Sequence, residues 1–247
     1  MLRWDGPCRL ALPAGLVAAL MAWVVPGVRC QTEQDITALI QRIDAANEQR
    51  YANVLGFTDT EHYQVFRGDD QAHPAAEMTV KVTYRKGVGK TYDILSQSGS
   101  KIIQKFGLDP LLENEKAIND PAVVKNSWFA SANYDMKVKA VESKQIDGRT
   151  CVALAITPKR KAPNMIDGTL WVGAQDGKIA QVEGEASKSP NPFAGTTHMR
   201  REYTLIQGYS MARHARAEST SPIIGRTVVT IDYTDYQLTT QTAGPRL

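Results

Sequence analysis

The chain has 247 residues, of which 43% are hydrophobic and 22% are charged, and its formal net charge is +3. A chain of this length can bury a sizeable core, and its composition excludes an intrinsically disordered or a multi-pass membrane protein. The small net charge does not indicate a nucleic-acid partner, and three cysteines and four histidines exclude a cysteine-rich scaffold.

The first 30 residues have the pattern of a secretory signal peptide. Arg3 and Arg9 precede an uncharged run from Leu10 to Val25, and a Pro-Gly pair follows. This run of about 16 residues is shorter than the ~20 that a membrane-spanning helix needs. We therefore predict that residues 1–30 are a cleaved signal peptide and that the mature protein is periplasmic.

Two cleavage positions fit this pattern, one after Cys30 and the other after Gly27. Arg29 stands where a lipid-modified cysteine needs a small residue, so a lipid-anchored form is not expected. Loss of residues 1–30 removes three arginines and one aspartate, which lowers the net charge from +3 to +1. It also leaves Cys151 as the only cysteine, so we predict a mature protein without an internal disulfide.

The start of the mature chain, residues 35–55, predicts an amphipathic helix. Apolar residues recur there at intervals of three and four, and polar residues occupy the other positions. The apolar stripe consists of Ile36, Leu39, Ile40, Ile43 and Ala46. Gly56 follows, and glycine is typical of the position after a helix.

Residues 76–85 show the clearest β-strand pattern in the chain. Polar residues alternate there with apolar ones, so one face of the strand is expected to be buried and the other exposed to solvent. The alternating apolar residues are Ala76, Met78, Val80, Val82 and Tyr84. A turn and a second strand at 91–95 complete a hairpin. Further strands are predicted at 133–140, 150–157, 168–172, 178–185, 198–205, 209–218 and 226–238.

A helical segment of roughly 25–30 residues interrupts these strands between Ser98 and Phe129. Its apolar residues follow helical spacing, whereas Glu113, Glu115 and Lys116 give it a polar side. Repeated hairpins favour an antiparallel meander over a parallel sheet. The sequence therefore predicts an α+β fold, in which a strongly curved antiparallel sheet carries helices on its concave side. Residues 31–238 are predicted to form one domain, and residues 239–247 a flexible tail.

The chain contains no complete catalytic or metal-binding motif. The segment 87–91 ends like a phosphate-binding loop, but Tyr84 replaces the first glycine and the segment joins two strands, so a hairpin turn is favoured. Cys151 lies in a strand that is apolar on both faces, which favours a core residue over a nucleophile. We expect no cofactor and no metal, because the four histidines have no suitable spacing: His62, His73, His198 and His214.

Carboxylates leave one enzymatic alternative open, because the acid pair of a glycosidase can lie anywhere in a sequence. Four glutamates lie where they could point into a cleft: Glu61, Glu183, Glu185 and Glu202. Nothing in their spacing selects a catalytic acid pair. The simpler interpretation is that most of them lie on solvent-exposed faces of strands. An envelope hydrolase is thus the third hypothesis for this chain.

The arrangement of helix, meander and helical insert resembles the periplasmic lipoprotein carriers. The residues that carry the resemblance are Gly168–Val172 with Asp176–Ile179 and Val182–Gly184, Asp147–Arg149 with Thr157–Lys159, and Arg226–Tyr236. The family comprises the outer-membrane lipoprotein-sorting proteins of the Lol system and their relatives, including the lipid-sensing domain of a sigma-factor regulator. The resemblance extends over nearly all of the mature chain and is greatest to a branch labelled lipoprotein-sorting proteins.

The resemblance implies a half-open, incomplete β-barrel whose hydrophobic cavity holds acyl chains beneath a helical lid. The implied lid residues are Ile102, Ile103, Phe106, Leu108, Leu111 and Leu112. Candidates for the rest of the cavity are Trp128, Phe129, Ile40, Ile43, Met78, Val80 and Val82. The alternative is that these side chains form an ordinary core that fills the open side of the sheet. The carriers also have an inward-facing arginine near the lid, which the sequence does not locate here.

We therefore expect a non-enzymatic periplasmic protein that binds lipid acyl chains or lipidated proteins, in the sorting of lipoproteins to the outer membrane. Its contact with the membrane is expected to be transient. The alternative is an envelope regulatory module that has the same fold and recognises a protein partner.

Overall fold

The computed structural model describes residues 33–188, 195–222 and 225–241, without the side chains of residues 140–142. The predicted signal peptide, both candidate cleavage positions and residues 242–247 of the predicted tail lie outside the described residues. None of the helices in the described ranges is long and apolar enough to cross a membrane.

Helix α1 spans Glu33–Asn53 and confirms the predicted N-terminal helix. Glu33 and Asp35 lie in its first turn and Arg50 in its last, so the side-chain charges oppose the helix dipole at both ends. Leu39 and Ile43 are its buried residues. The helix is shorter at its C-terminal end than the periodicity predicted, because Val54 already belongs to the first strand.

Ten strands form a single antiparallel sheet in the order β3-β2-β1-β10-β9-β8-β7-β6-β5-β4. Their bounds are Val54–Arg67 (β1), Ala76–Arg85 (β2), Gly89–Gly99 (β3), Tyr134–Ile146 (β4), Arg149–Pro158 (β5), Ile166–Gly173 (β6), Ile179–Ala186 (β7), Thr197–Ile206 (β8), Tyr209–Ser221 (β9) and Gly225–Thr240 (β10). β3 and β4 are the two edges, so the sheet does not close into a barrel within the described residues. The predicted α+β fold with an open antiparallel sheet is confirmed.

The helical insert, residues 101–127, connects β3 to β4 and so runs from one edge of the sheet to the other. It consists of α2 (Lys101–Ile103), a π-helical turn (Gln104–Leu108), α3 (Asp109–Ile118) and a 3-10 turn (Val124–Ser127). The π-helical turn ends two residues before Pro110, which has no N–H to donate to the carbonyl four residues earlier.

α1 and the insert cover different halves of the inner face of the sheet. Leu108 and Leu112 of the insert pack into a core formed by β1, β2, β9 and β10. Leu39 and Ile43 of α1 pack into a second core formed with β4–β7. The outer face has its own smaller apolar cluster, which consists of Cys151, Ala153, Trp171 and Ala180.

The end of β10 corrects the predicted tail. Thr239 and Thr240 pair with Gly56 and Val54 of β1, and the strand includes both residues. Their polar sequence is typical of a loop, but β1 begins opposite them and supplies a partner for their backbone. The backbone N–H of Gln241 also donates a hydrogen bond to the carbonyl of Asn53.

Gly177, in the turn between β6 and β7, lets α1 pack directly against that turn. Its φ is +66°, and a Cβ added there would lie 2.5 Å from the backbone carbonyl carbon of Arg42 in α1. A side chain at this position is therefore opposed both by the backbone conformation and by the backbone of the helix.

Gly177→Ala is expected to lower the free energy of unfolding by about 2–4 kcal/mol, since backbone strain and steric overlap each add a cost. Gly148 is the matched control, because it has a φ of +71° and nothing within 4 Å of an added Cβ. Gly148→Ala is expected to cost only about 1 kcal/mol. Chemical denaturation of both variants measures the difference, and equal losses would show that α1 does not depend on this close approach.

Candidate functional site

A cavity of about 410 Å³ lies between α1, the insert and the inner face of the sheet. Ligand-binding pockets in proteins commonly measure ~300–1,000 Å³, so this volume suits one small ligand or a single chain. The end of α1, the second half of the insert and the β6–β7 and β8–β9 turns form its rim.

Part of the cavity wall is aromatic. Seven aromatic side chains among the described residues line it: Phe57, Trp128, Phe129, Tyr203, Tyr209, Tyr233 and Tyr236. Aliphatic side chains from the insert and the sheet lie between them: Ile118, Val124, Ile179 and Met211. These side chains offer apolar surface with a few hydroxyl groups, whereas charged and amide side chains line the rest of the cavity. The combination suits a ligand with an apolar part and a polar end.

Hydrogen bonds hold α1 against the residues that follow the insert. The Asp44 carboxylate accepts hydrogen bonds from the backbone N–H of Ser131 at 2.9 Å and from its hydroxyl at 2.6 Å. The side-chain amide of Asn47 donates to the carbonyl of Phe129 at 3.0 Å. These contacts fix the wall of the cavity on which Asn47 and Phe129 both lie.

A buried network of charges crosses the inner side of the cavity. Lys90 of β3 stands between two carboxylates, with its Nζ 3.1 Å from Oε1 of Glu61 and 3.5 Å from Oε2 of Glu115. The other oxygen of Glu115 lies 3.5 Å from Arg201 of β8. Glu115 belongs to α3, so a single carboxylate of the insert is paired with cations from two separate parts of the sheet.

The network holds Lys90, Glu115 and Arg201 in the charged form. Burial alone would lower the pKa of Lys90, but the carboxylates of Glu61 and Glu115 raise it well above its usual value. Burial would raise the pKa of Glu115, yet Lys90 and Arg201 hold it below its usual value. Burial likewise opposes the charge of Arg201, but nearby groups that include Glu115 raise its pKa well above its usual value.

Asp59 is a second buried acid on the same face of β1. It is fully buried, and neither carboxyl oxygen has a hydrogen-bond partner in the described structure. Burial, and then the charge of Glu61, raise the pKa of Asp59 to about 7. The positive charge of Lys90 offsets this effect only in part.

The geometry of Glu61 bears on the hydrolase hypothesis. Lys90 brings Glu61 close to Glu115, so two carboxylates do face each other beside the cavity. Glu61 is only 1% exposed, however, and its second oxygen accepts a hydrogen bond from the hydroxyl of Tyr63. Both oxygens are thus occupied by neighbouring side chains, whereas a general acid or base must reach its substrate. The arrangement fits an ion-pair partner.

The other three candidate glutamates lie elsewhere on the sheet. Glu202 pairs with Arg200 and Arg213, each at 2.8 Å. Glu183 accepts a hydrogen bond at 2.9 Å from Gln181. Glu185 is exposed on β7. None of the three lines the cavity.

Eleven of the thirteen predicted ligand-binding residues fall into three groups in the structure. Trp128 and Phe129 line the cavity. One group lies in the core beneath the insert: Ile103, Leu108, Leu111, Leu112, Met78, Val80 and Val82. Ile43 is buried beneath α1, and the neighbouring Ile40 is half-buried. The structure therefore brings most of them to the inner face, where they pack against one another next to the cavity.

Ile102 and Phe106 do not have the orientation predicted for a lid. They are 72% and 73% exposed, and neither lines the cavity. Helical spacing placed them with Ile103 and Leu108, but the π-helical turn at Gln104–Leu108 shifts the phase of the helix. Gln104 and Leu108 are the buried residues of that turn, while Phe106 faces away from the sheet.

Sequence reasoning missed the polar part of the site. Lys90, Arg201 and Glu115 carry the charge network, and four tyrosines line the wall, but none was a candidate. Arg201 is an inward-facing arginine that lines the cavity beside the insert. One signal was present in β1, where Asp59 and Glu61 occupy the same alternating positions as the apolar residues of the buried face.

The described residues include no group of three or more histidines, cysteines, aspartates or glutamates that could hold a metal ion. Cys151 is buried in the outer cluster, and burial raises the pKa of its thiol. A nucleophilic cysteine needs a lowered pKa, so this environment fits a core residue.

Comparisons with known proteins give structural likeness only. No family model matches the chain, and no curated protein matches it. A LolA superfamily protein from Nitrosomonas europaea is similar over 82% of this chain and 93% of its own, with a TM-score of 0.42 and 13% identity. A domain described as an outer membrane lipoprotein-sorting protein, from Vibrio parahaemolyticus, has a TM-score of 0.44 and 12% identity and covers 83% of this chain and 92% of its own.

A DUF1329 family protein from Desulfovibrio piger has a TM-score of 0.41 and 13% identity, and the likeness covers 85% of this chain and 95% of that protein.

Proposed function

We propose that this protein is a non-enzymatic periplasmic carrier that binds an acyl chain of a lipid or of a lipidated protein. The observation that carries the proposal is the cavity of about 410 Å³ between the insert, α1 and the inner face of the sheet. An acyl chain in the cavity would move its methylene groups from water onto the aromatic and aliphatic side chains of the wall. Each buried methylene contributes about 0.8 kcal/mol to the free energy of binding.

The insert is the entrance in this proposal. Leu111 and Leu112 of α3 pack into the core, and Glu115 of the same helix pairs with Lys90 and Arg201. A movement that separates Glu115 from these cations would open the cavity from the side of the insert. Sorting of lipoproteins to the outer membrane is the process proposed for this carrier, in keeping with the predicted signal peptide.

A second candidate function is an envelope module that recognises a protein partner. Its support is the exposure of Ile102 and Phe106 on the insert and of Ile94 and Leu95 on β3. β3 is also an edge strand whose outer backbone groups can pair with another chain.

Mass spectrometry of organic extracts from the purified mature protein tests the carrier function. We expect acyl lipids to co-purify, or to be taken up when the delipidated protein is incubated with phospholipid vesicles. If no acyl lipid co-purifies and none can be loaded, the carrier function is wrong and the partner-recognition module becomes the better candidate.

A further inference from the structure

The wall of the cavity carries an excess of positive charge. Among the described residues that line it, four are cationic and one is a carboxylate, namely Arg50, Lys90, Lys178 and Arg201 against Glu115. A purely apolar compartment for acyl chains would not need these cations, so their partners decide whether the charge is available to a ligand.

Three of the four cations already have acidic partners. Lys90 pairs with Glu61 and Glu115, and Arg201 pairs with Glu115. Lys178 lies 3.7 Å from the carboxylate of Asp176 in its own turn. These pairs neutralise most of the charge of the wall inside the protein.

Arg50 is the exception. No carboxylate of the described chain forms an ion pair with it, and its Nε is buried without a hydrogen-bond partner. Arg50 lies in the last turn of α1, where the helix dipole supplies only about half a negative charge. Its guanidinium therefore retains both charge and donor capacity at the wall of the cavity.

The surroundings of Arg50 have the shape of a small polar recess. A second space of about 30 Å³ shares Arg50, Phe57, Asn119 and Trp128 with the main cavity, and Tyr84 also lines it. This volume is about that of one water molecule. It suits an oxygen of a ligand's head group, with a phenol hydroxyl and a side-chain amide beside the arginine.

We infer that the cavity binds a single-chain amphiphile with an anionic head group, a carboxylate or a phosphate, which Arg50 holds while the tail lies along the aromatic wall. The planar fork of a guanidinium can donate two parallel hydrogen bonds to either kind of head group. This inference rests on the proposed carrier function and names the chemical class of its ligand.

Equilibrium binding of palmitate, hexadecanol and hexadecyl phosphate to the mature protein tests the inference. The three probes share one chain and differ in the head group. We expect palmitate or hexadecyl phosphate to bind about tenfold or more tightly than hexadecanol, because a charge-assisted pair with Arg50 is added. If palmitate binds more tightly than hexadecyl phosphate, the preferred head group is a carboxylate, and if hexadecyl phosphate binds more tightly, it is a phosphate.

Arg50→Gln is expected to abolish this preference and to leave the affinity for hexadecanol within about twofold. Arg85→Gln is the matched control, because Arg85 is exposed at the end of β2 and does not line the cavity, and it should retain the preference. Equal binding of all three probes to the unmodified protein, or a preference that survives in Arg50→Gln, would overturn the inference and leave the carrier function standing. If none of the three probes binds, the carrier function fails together with the inference.

Discussion

Lys90→Met is expected to lower the free energy of unfolding by about 3–5 kcal/mol. Methionine keeps much of the length of the side chain but leaves Glu61 and Glu115 buried without the cation that lies between them. Removal of one partner from a buried ion pair is costly because the remaining charge keeps its desolvation penalty. Chemical denaturation near pH 7 measures the loss.

A matched control and a rescue variant distinguish charge from packing. Lys116 forms an exposed pair with Glu113 at 3.3 Å, so Lys116→Met is expected to change stability by less than about 0.5 kcal/mol. Adding Glu61→Gln to Lys90→Met removes one of the stranded charges and is expected to recover at least about 1 kcal/mol. If the double variant is no more stable than Lys90→Met, the loss comes from packing.

Asp59→Asn is expected to stabilise the protein at neutral pH by about 2–4 kcal/mol. Asparagine has nearly the same shape as aspartate and carries no charge. Burial and Glu61 raise the pKa of Asp59 from 3.8 to about 7. The folded protein therefore binds a proton more tightly than the unfolded chain, and the unmodified protein loses stability as the pH rises between these two values.

The pH dependence of stability measures this effect more directly than one denaturation curve. The difference between Asp59→Asn and the unmodified protein is expected to be small at pH 4, to grow up to about pH 7 and to level off by about pH 8. Asp93 is exposed on β3, and Asp93→Asn serves as the control with no such trend. A constant difference across this range would show that Asp59 is not held protonated in the fold.

Local pattern predicted the elements of this fold well. Alternation at residues 76–85 corresponds to β2, which has the same bounds in the structure. The apolar stripe of α1 correctly contained Leu39 and Ile43, its two buried residues. These signals work because a strand or a helix places its side chains on faces with a fixed period.

The orientation of the insert and the polar part of the site depend on features that such patterns do not contain. The π-helical turn before Pro110 changes which side chains face the sheet, so Phe106 is exposed although its spacing is helical. Glu61, Lys90 and Arg201 lie far apart in sequence and meet only because β1, β3 and β8 share the inner face of one sheet. Periodicity alone predicts that charged residues lie on the solvent-exposed face of a strand. Here ion pairs with residues of opposite charge make their burial possible.

The most direct test of a ligand-binding cavity is to fill it. Ala46 of α1 lines the cavity, and its neighbour Ala45 is exposed on the same helix. Binding of hexadecanol should be weakened tenfold or more in Ala46→Phe and unchanged in Ala45→Phe, with both variants folded by circular dichroism. Equal binding of hexadecanol by the two variants would contradict the account, because an acyl chain would then bind outside the space between α1, the insert and the sheet.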